Sequence, residues 1–180
     1  SNHFDVAACL RSDQSVAYPD LQLTMSPIAV DDETWAPLQE HAFQIHVGLM
    51  RAHSRGRIAL RSTDPKVPPS ILVNYYSDPR DRDLMLKGIK IVRDLVRQSA
   101  FDGLCGEEIV PGGPVQTDEQ LNQLLNTNTA SQWHLSGTAK MGRATDRMAV
   151  TDAKGCVHGV KALRVVDASI MPLVTNGNTN

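Results

Sequence analysis

The chain has 180 residues, 41% of them apolar, and a formal net charge of -2, values that fit a folded globular protein and not a disordered one. Its basic side chains are interspersed with acidic ones, so we expect no nucleic-acid partner, which would need clustered Lys and Arg. The cysteines Cys9, Cys105 and Cys156 are widely spaced and form no C-x-x-C pair, so neither a disulfide framework nor a zinc site is indicated.

Predicted strands dominate the first part of the chain. Apolar and polar residues alternate in Leu21 to Met25 and in Phe43 to Leu49, which is the period-2 pattern of half-buried strands in an antiparallel sheet. A turn at Gly56 and a Pro-Pro pair then punctuate two shorter predicted strands, Ile58 to Arg61 and Ile71 to Val73.

Two helices are predicted after these strands. Asp78 followed by Pro79 is a strong helix start, because the Asp side chain can accept a free backbone N–H and proline at the first helical position needs no donor. This helix is expected to run to about Gln98, with one apolar stripe formed by Met85, Ile89, Val92 and Val96. The capping-box pattern Thr117-x-x-Gln120 opens a second, shorter helix that carries Leu121, Leu124 and Leu125.

The order of these elements predicts an α+β fold. Strands first, helices next and a short late strand, Ala162 to Asp167, indicate a mostly antiparallel β-sheet with helices packed on one face. The Pro111-Gly-Gly-Pro114 segment is interpreted as a loop and not as a linker, because the periodic segments on both sides of it are needed for one core. We therefore expect residues 1–180 to form one domain.

The most specific pattern lies near the C-terminal end. The segment Ser131-Gln-Trp-His-Leu-Ser-Gly-Thr-Ala-Lys-Met-Gly142 places a histidine beside small, turn-forming residues. It is followed by Ala162-Leu-Arg-Val-Val-Asp-Ala-Ser-Ile-Met-Pro172 and then by Thr175-Asn-Gly-Asn-Thr-Asn180. In this order, the three segments resemble the C-terminal signature of the glucose-methanol-choline (GMC) flavin oxidoreductases.

The resemblance covers nearly the whole chain. It extends upstream through Ala52-His-Ser-Arg-Gly-Arg57, Asn74-Tyr-Tyr-Ser-Asp-Pro79 and Thr117-Asp-Glu-Gln-Leu121. Within the family, the chain looks most similar to the choline dehydrogenases and choline oxidases, because of Ser1-Asn-His-Phe4, Tyr18-Pro-Asp-Leu21 and an asparagine at the second active-site position. The resemblance implies a substrate-binding domain in which helices back an antiparallel sheet.

Alcohol oxidation removes a proton from oxygen and a hydride from carbon, so it needs a base and a hydride acceptor. Histidine suits the first role because much of it is neutral near neutral pH. Protein side chains do not accept hydride, so the second role falls to a cofactor, and the resemblance implies FAD. By match to the family's motifs, His134 is the catalytic base. Asn178 matches the second active-site position, where it would donate a hydrogen bond to the substrate oxygen.

Further site residues come from the same resemblance. The positions at which family members touch FAD, mostly through backbone groups, correspond here to Asp167, Ala168, Asn178 and Thr179. Trp133 could enclose a quaternary ammonium group by cation–π attraction, although packing is the more ordinary interpretation of a tryptophan. Phe4 lies where choline-oxidising relatives carry an aromatic residue that lines the substrate site. The remaining histidines are scattered without a ligand spacing, so no metal site is predicted.

The chain is expected to be a fragment of a longer enzyme and inactive by itself. It contains no G-x-G-x-x-G after a strand, and family members continue past Gly-Asn-Thr-Asn into a helix. The implied partners are a small-molecule alcohol and the FAD-binding domain of the parent chain. No apolar run approaches the roughly 20 residues of a membrane-spanning helix and no signal-peptide pattern is present. We expect a cytoplasmic protein, with membrane association of the parent enzyme left open.

The function indicated is that of an FAD-dependent alcohol dehydrogenase of the choline dehydrogenase type, which would oxidise a primary alcohol to an aldehyde. Two alternatives stay open. One is a free-standing binding or assembly module that kept this fold, and the other is a GMC-fold lyase that binds FAD without using it for redox chemistry. The motifs also leave open the identity of the alcohol, the electron acceptor and the oligomeric state.

Overall fold

The structure is a computed structural model that describes residues 5–31 and 34–179. Contacts within the chain define two compact units. The first, here the sheet–helix unit, comprises Ser1–Leu49 and Pro79–Ala130, and the second, here the C-terminal unit, comprises Met50–Asp78 and Ser131–Asn180. That residues 1–180 form one domain stays a prediction.

The sheet–helix unit contains an antiparallel sheet whose central strand is the most buried. The sheet has the order β1-β2-β3, with β1 at Val6–Leu10, β2 at Leu21–Ser26 and β3 at Gln44–Leu49. Alternation along β2 buries Leu21 and Leu23, which lie opposite Leu49 and Val47 of β3. The predictions for β2 and β3 are therefore confirmed. Strand β1 was not predicted, because its side chains are largely exposed and lack a strong alternating pattern.

The first helix, α1, packs closely on this sheet. It spans Pro79–Val96, which confirms the predicted start and nearly the predicted end. The apolar stripe expected on its surface is half-buried, and Gly88 of the same helix is buried. A Cβ at Gly88 would lie 2.5 Å from Cγ1 of Val47 and 3.2 Å from Cδ2 of Leu21. The absence of a side chain at this position allows α1 to contact the sheet.

The second helix, α2, spans Asp118–Thr127 and begins with the predicted capping box. The Gln120 backbone N–H donates to Oγ1 of Thr117 at 3.2 Å, and Oε1 of Gln120 accepts from the Thr117 backbone N–H at 2.9 Å. Leu121 and Leu125 are buried. This helix therefore forms as predicted, since its cap satisfies free backbone donors while its leucines enter the core.

Two arginines of α1 connect it to later segments of the same unit. Arg82 donates to Oδ1 of Asn122 at 3.3 Å and to Oδ1 of Asn126 at 3.0 Å, both on α2. Arg93 makes a bidentate ion pair with Glu108, with N–O distances of 2.8 and 2.7 Å. Both sets of bonds exploit the planar fork of the guanidinium group.

The C-terminal unit is built mainly from turns and single bridges. Its strands β4, Arg57–Ala59, and β5, Ser70–Leu72, form an antiparallel pair, close to the two short strands predicted. Elsewhere, isolated bridges join Thr151 to Met141 and to Val157. Thr151 is fully buried and its Oγ1 donates to the Ala139 carbonyl at 3.3 Å. Backbone hydrogen bonds and not an apolar layer therefore organise this region.

The predicted late strand, Ala162 to Asp167, is wrong. Ala162 has a φ of 59°, a left-handed conformation that interrupts an extended chain. Only Arg164 forms a bridge, with Cys156, while the Val166 side chain is 82% exposed. The apolar residues of this segment had indicated a strand. Instead, the segment lies along residues 155–157 and is joined to them by separate backbone hydrogen bonds, from Val157 to Leu163 and from Val165 to Gly155.

The predicted fold class is confirmed. The described residues form antiparallel sheets and two α-helices, and α1 packs on β3, as an α+β arrangement requires. Neither of these two helices combines the length and the apolar character needed to cross a membrane.

Candidate active site

In the C-terminal unit, backbone hydrogen bonds join the motif that contains His134 to the motif that contains Asp167. The segment 137–141, which follows His134, runs along the short 3-10 helix Ala168–Ile170. Three backbone hydrogen bonds join them, from Gly137 to Ala168 at 3.3 Å, from Ala139 to Ser169 at 2.9 Å and from Met141 to Ile170 at 2.7 Å. These bonds fix the position of the segment after His134 relative to Asp167 and Ala168.

Trp133 turns the chain immediately before the histidine. Its φ is 65°, which is uncommon for a bulky residue and stores of the order of 1–3 kcal/mol of strain. The hydroxyl of Ser131 accepts a hydrogen bond from the Trp133 backbone N–H at 2.9 Å and supports this conformation. The indole itself is 77% exposed. Packing within the described chain therefore does not account for this tryptophan.

The side chain of His134 is oriented by a backbone carbonyl. Its Nδ1 lies 2.6 Å from the carbonyl oxygen of Thr179. A carbonyl oxygen can only accept a hydrogen bond, so Nδ1 carries the hydrogen and Nε2 of the neutral ring keeps a free lone pair. The half-buried ring is therefore held in the tautomer in which Nε2 can accept a proton.

Asn178 lies next to the residue that orients this ring. It directly precedes Thr179, its side chain is exposed, and within the described part of the chain its amide makes no hydrogen bond. The structure therefore brings the loop that carries Asn178 to His134. The pair offers a proton acceptor and an uncharged donor, the two groups that removal of a hydroxyl proton requires.

The other predicted site residues have different surroundings. Oδ1 of Asp167 accepts a hydrogen bond from the Ser169 backbone N–H at 2.8 Å. Hydrogen bonds from the Ser169 hydroxyl and backbone lower the pKa of the Asp167 carboxyl group. The carboxylate thus caps its own turn, and the Ala168 carbonyl is bonded to Gly137. Phe4 lies outside the described residues, so its expected substrate contact stays a prediction.

No group of three or more His, Cys, Asp or Glu side chains in residues 5–31 and 34–179 is arranged to hold a metal ion. The three cysteines, one exposed and two half-buried, are free thiols.

The sequence patterns did not predict two contacts of residues 176–179. The Thr179 carbonyl orients His134, whereas Thr179 was expected only as a contact of FAD, and a backbone carbonyl leaves no signature in a sequence. Nε of Arg51 donates a hydrogen bond to Oδ1 of Asn176, and this pairing joins residues 125 positions apart. Only the tertiary structure brings such a pair together.

Comparison with known proteins identifies the family. A family model described as GMC oxidoreductase matches residues 52–180. The chain belongs to the GMC oxidoreductase family. The match confirms the resemblance that the three C-terminal motifs indicated. Members of this family are FAD flavoproteins and oxidoreductases.

Curated and solved relatives agree with this assignment. An oxygen-dependent choline dehydrogenase of Pseudomonas savastanoi pv. phaseolicola is 44% identical over 180 residues, which are 100% of this chain and 31% of the relative. The GMC chain thus spans about a third of the length of the curated relatives it matches.

Solved structures of other proteins match as well. Pyridoxine 4-oxidase from Mesorbium loti superposes with a TM-score of 0.87 at 23% identity, over 98% of this chain and 35% of the other, and shows the fold alone. A formate oxidase of Aspergillus oryzae, solved to examine modification of its FAD, superposes with a TM-score of 0.79 at 27% identity, over 91% of this chain and 29% of the other.

Proposed function

We propose that this GMC chain is the substrate-binding and catalytic-base region of an FAD-dependent alcohol oxidoreductase similar to the choline dehydrogenases. The reaction is oxidation of a primary alcohol to an aldehyde. The observation that carries the proposal is the hydrogen bond from Nδ1–H of His134 to the Thr179 carbonyl. It leaves Nε2 as a base and does so beside Asn178, at the end of the chain that matches the family's second active-site motif.

The chain's own residues fit an oxidation in which the cofactor accepts the hydride. Nε2 of His134 receives the hydroxyl proton, and the Thr179 carbonyl, still bonded to Nδ1–H, stabilises the imidazolium that results. The Asn178 amide donates to the substrate oxygen as negative charge develops there. FAD supplies the hydride acceptor when it is bound, and backbone groups of Asp167, Ala168 and Thr179 would contribute to its binding site.

The substrate class is proposed from an aromatic side chain. Trp133 precedes the base directly and presents its indole on the surface of the described chain. Among the aromatic side chains, tryptophan attracts most strongly a quaternary ammonium group, which carries charge but no hydrogen-bond donor. Together with the similarity to a choline dehydrogenase over the whole chain, this exposure favours a choline-like alcohol.

The base is tested in the full flavoprotein that contains this chain. His134→Ala should slow anaerobic flavin reduction by substrate by roughly 10²–10⁴-fold, the usual contribution of a positioned general base. Stopped-flow absorbance of the oxidised flavin measures this rate. An α-deuterated alcohol reports in parallel whether transfer of hydride from carbon limits the step.

His158→Ala is a matched control for this substitution. His158 is also half-buried in the C-terminal unit, and its Nε2 lies 3.1 Å from the Gly142 carbonyl, but nothing places it near the Asn178 loop. The flavin of the His158→Ala variant should be reduced at the same rate as that of the unaltered enzyme. Equal reduction rates for His134→Ala and the unaltered protein would remove His134 from the mechanism.

A further inference from the structure

The loop that carries Asn178, residues 175–179, makes hydrogen bonds to other segments through Thr179 and Asn176. Its last described residue, Thr179, accepts the hydrogen bond from His134. Three positions earlier, Oδ1 of Asn176 accepts a hydrogen bond from Nε of Arg51. Between these points, the Thr175 hydroxyl donates to the Gly177 carbonyl at 2.7 Å, which closes a tight local turn.

Among the described residues, the backbone hydrogen bonds that organise the rest of the C-terminal unit do not extend into residues 175–179. Those of segment 137–141 join it to Ala168–Ile170, upstream of the loop. The loop has no helix or strand of its own, so side-chain contacts carry more of its conformation than they would in a regular element. The guanidinium of Arg51 is well suited to such a contact because its Nε–H has a fixed direction in a planar group.

We propose that Arg51 is a positioning residue for the reaction assigned above, and this inference rests on that proposed function. By holding Asn176, Arg51 sets the conformation of residues 176–179. That conformation fixes both the carbonyl that selects the tautomer of His134 and the amide that contacts the substrate oxygen. Arg51 touches neither reacting group itself. A displacement of about 1 Å in such a support can slow a reaction by roughly 100-fold.

The experiment uses the full flavoprotein and two truncations of the same hydrogen bond. Arg51→Ala removes the donor and its charge, whereas Asn176→Ala removes the acceptor and leaves the charge in place. Arg51 is exposed, so its truncation leaves the buried core unaltered. Arg55→Ala is the matched control, because Arg55 is an equally exposed arginine whose guanidinium donates to the nearby carbonyls of Ala52 and Ser54.

Kinetics and hydrogen exchange give separate readouts. Arg51→Ala and Asn176→Ala should each lower the limiting rate of flavin reduction by roughly 10- to 100-fold while changing the substrate Kd by less than about threefold. The losses of the two single variants should not multiply in the double variant, since both substitutions break the same hydrogen bond. Amide hydrogen exchange should accelerate in residues 175–179 and stay unchanged in residues 137–141.

The outcomes separate this inference from the proposed function. Unaltered exchange in residues 175–179 of Arg51→Ala overturns the positioning role, whatever the result for His134. A reduction rate in Arg51→Ala equal to that of the unaltered protein, a double variant in which the losses multiply, or an equal loss in Arg55→Ala also overturns it. If His134→Ala reduces its flavin normally, the proposed base fails, and the exchange data still decide whether Arg51 holds the loop.

Discussion

At the scale of single residues, Trp133 combines an unusual backbone conformation with an exposed side chain. Its left-handed φ of 65° directs the chain into His134, and its indole is 77% exposed. A residue in this conformation is more often glycine or asparagine. Strain of this kind concentrates at functional sites, so we expect the exposed ring to serve binding.

The proposed role of the ring in binding can be tested with two alcohols of the same shape. Trp133→Ala should weaken binding of choline by roughly 2- to 30-fold, the range of a cation–π contact. It should affect the uncharged isostere 3,3-dimethyl-1-butanol less, because that alcohol fills the same volume without the positive charge. Apparent Kd values from flavin-reduction titrations measure the difference. Equal losses for the two alcohols would show that the indole acts only through its apolar area.

At the scale of elements, contact between α1 and the sheet depends on the missing side chain of Gly88. Alanine at this position would gain about 1 kcal/mol in helix propensity. However, the added Cβ would lie 2.5 Å from Cγ1 of Val47, and a β-branched valine has little freedom to rotate away. Overpacking of this kind costs about 1–3 kcal/mol. The steric term therefore wins, and Gly88→Ala should destabilise the sheet–helix unit.

A compensating substitution separates packing from propensity. Val47→Ala removes the methyl group that the new Cβ would meet, so Gly88→Ala/Val47→Ala should be more stable than the sum of the single effects predicts. Hydrogen-exchange protection of α1 and β3 in the flavoprotein measures each variant. Additive losses would show that the helix is displaced by contacts other than the one with Val47.

At the scale of the whole molecule, the C-terminal unit depends on carboxylates that accept hydrogen bonds. The pKa of Asp146 is lowered, chiefly by the hydrogen bond from Lys140 and next by the Met148 backbone. Backbone N–H groups of Cys156 and Lys154 lower the pKa of Asp152. With Asp167, these residues form a series of capped turns in place of a large apolar core.

These lowered pKa values determine how the unit responds to acid. A carboxyl group whose pKa is lower in the folded state contributes stability above its unfolded pKa of about 3.9, and this stability is lost as pH falls through the folded value. Protection of residues 146–169 against hydrogen exchange, corrected for intrinsic rates, should therefore fall as pH decreases below about 5. Asp146→Asn and Asp152→Asn should each flatten that dependence. A profile that the two substitutions leave unchanged would assign the acid sensitivity to other groups.

The sequence by itself determined most of the regular elements and the family. Period-2 and helical patterns predicted β2, β3 and α1, and the box of Thr117 and Gln120 predicted α2, because short-range periodicity and capping depend on neighbours in the chain. The motifs around His134 and Asn178 indicated the family, which the comparisons confirmed.

Only the tertiary structure decided what the loops do. It replaced the expected strand at Ala162 with a left-handed turn, and it identified the Thr179 carbonyl as the group that fixes the tautomer of His134. It also paired Arg51 with Asn176. These features depend on backbone atoms and on partners distant in sequence. A backbone carbonyl is the same in every residue, so no pattern of side chains could have indicated which one His134 would meet.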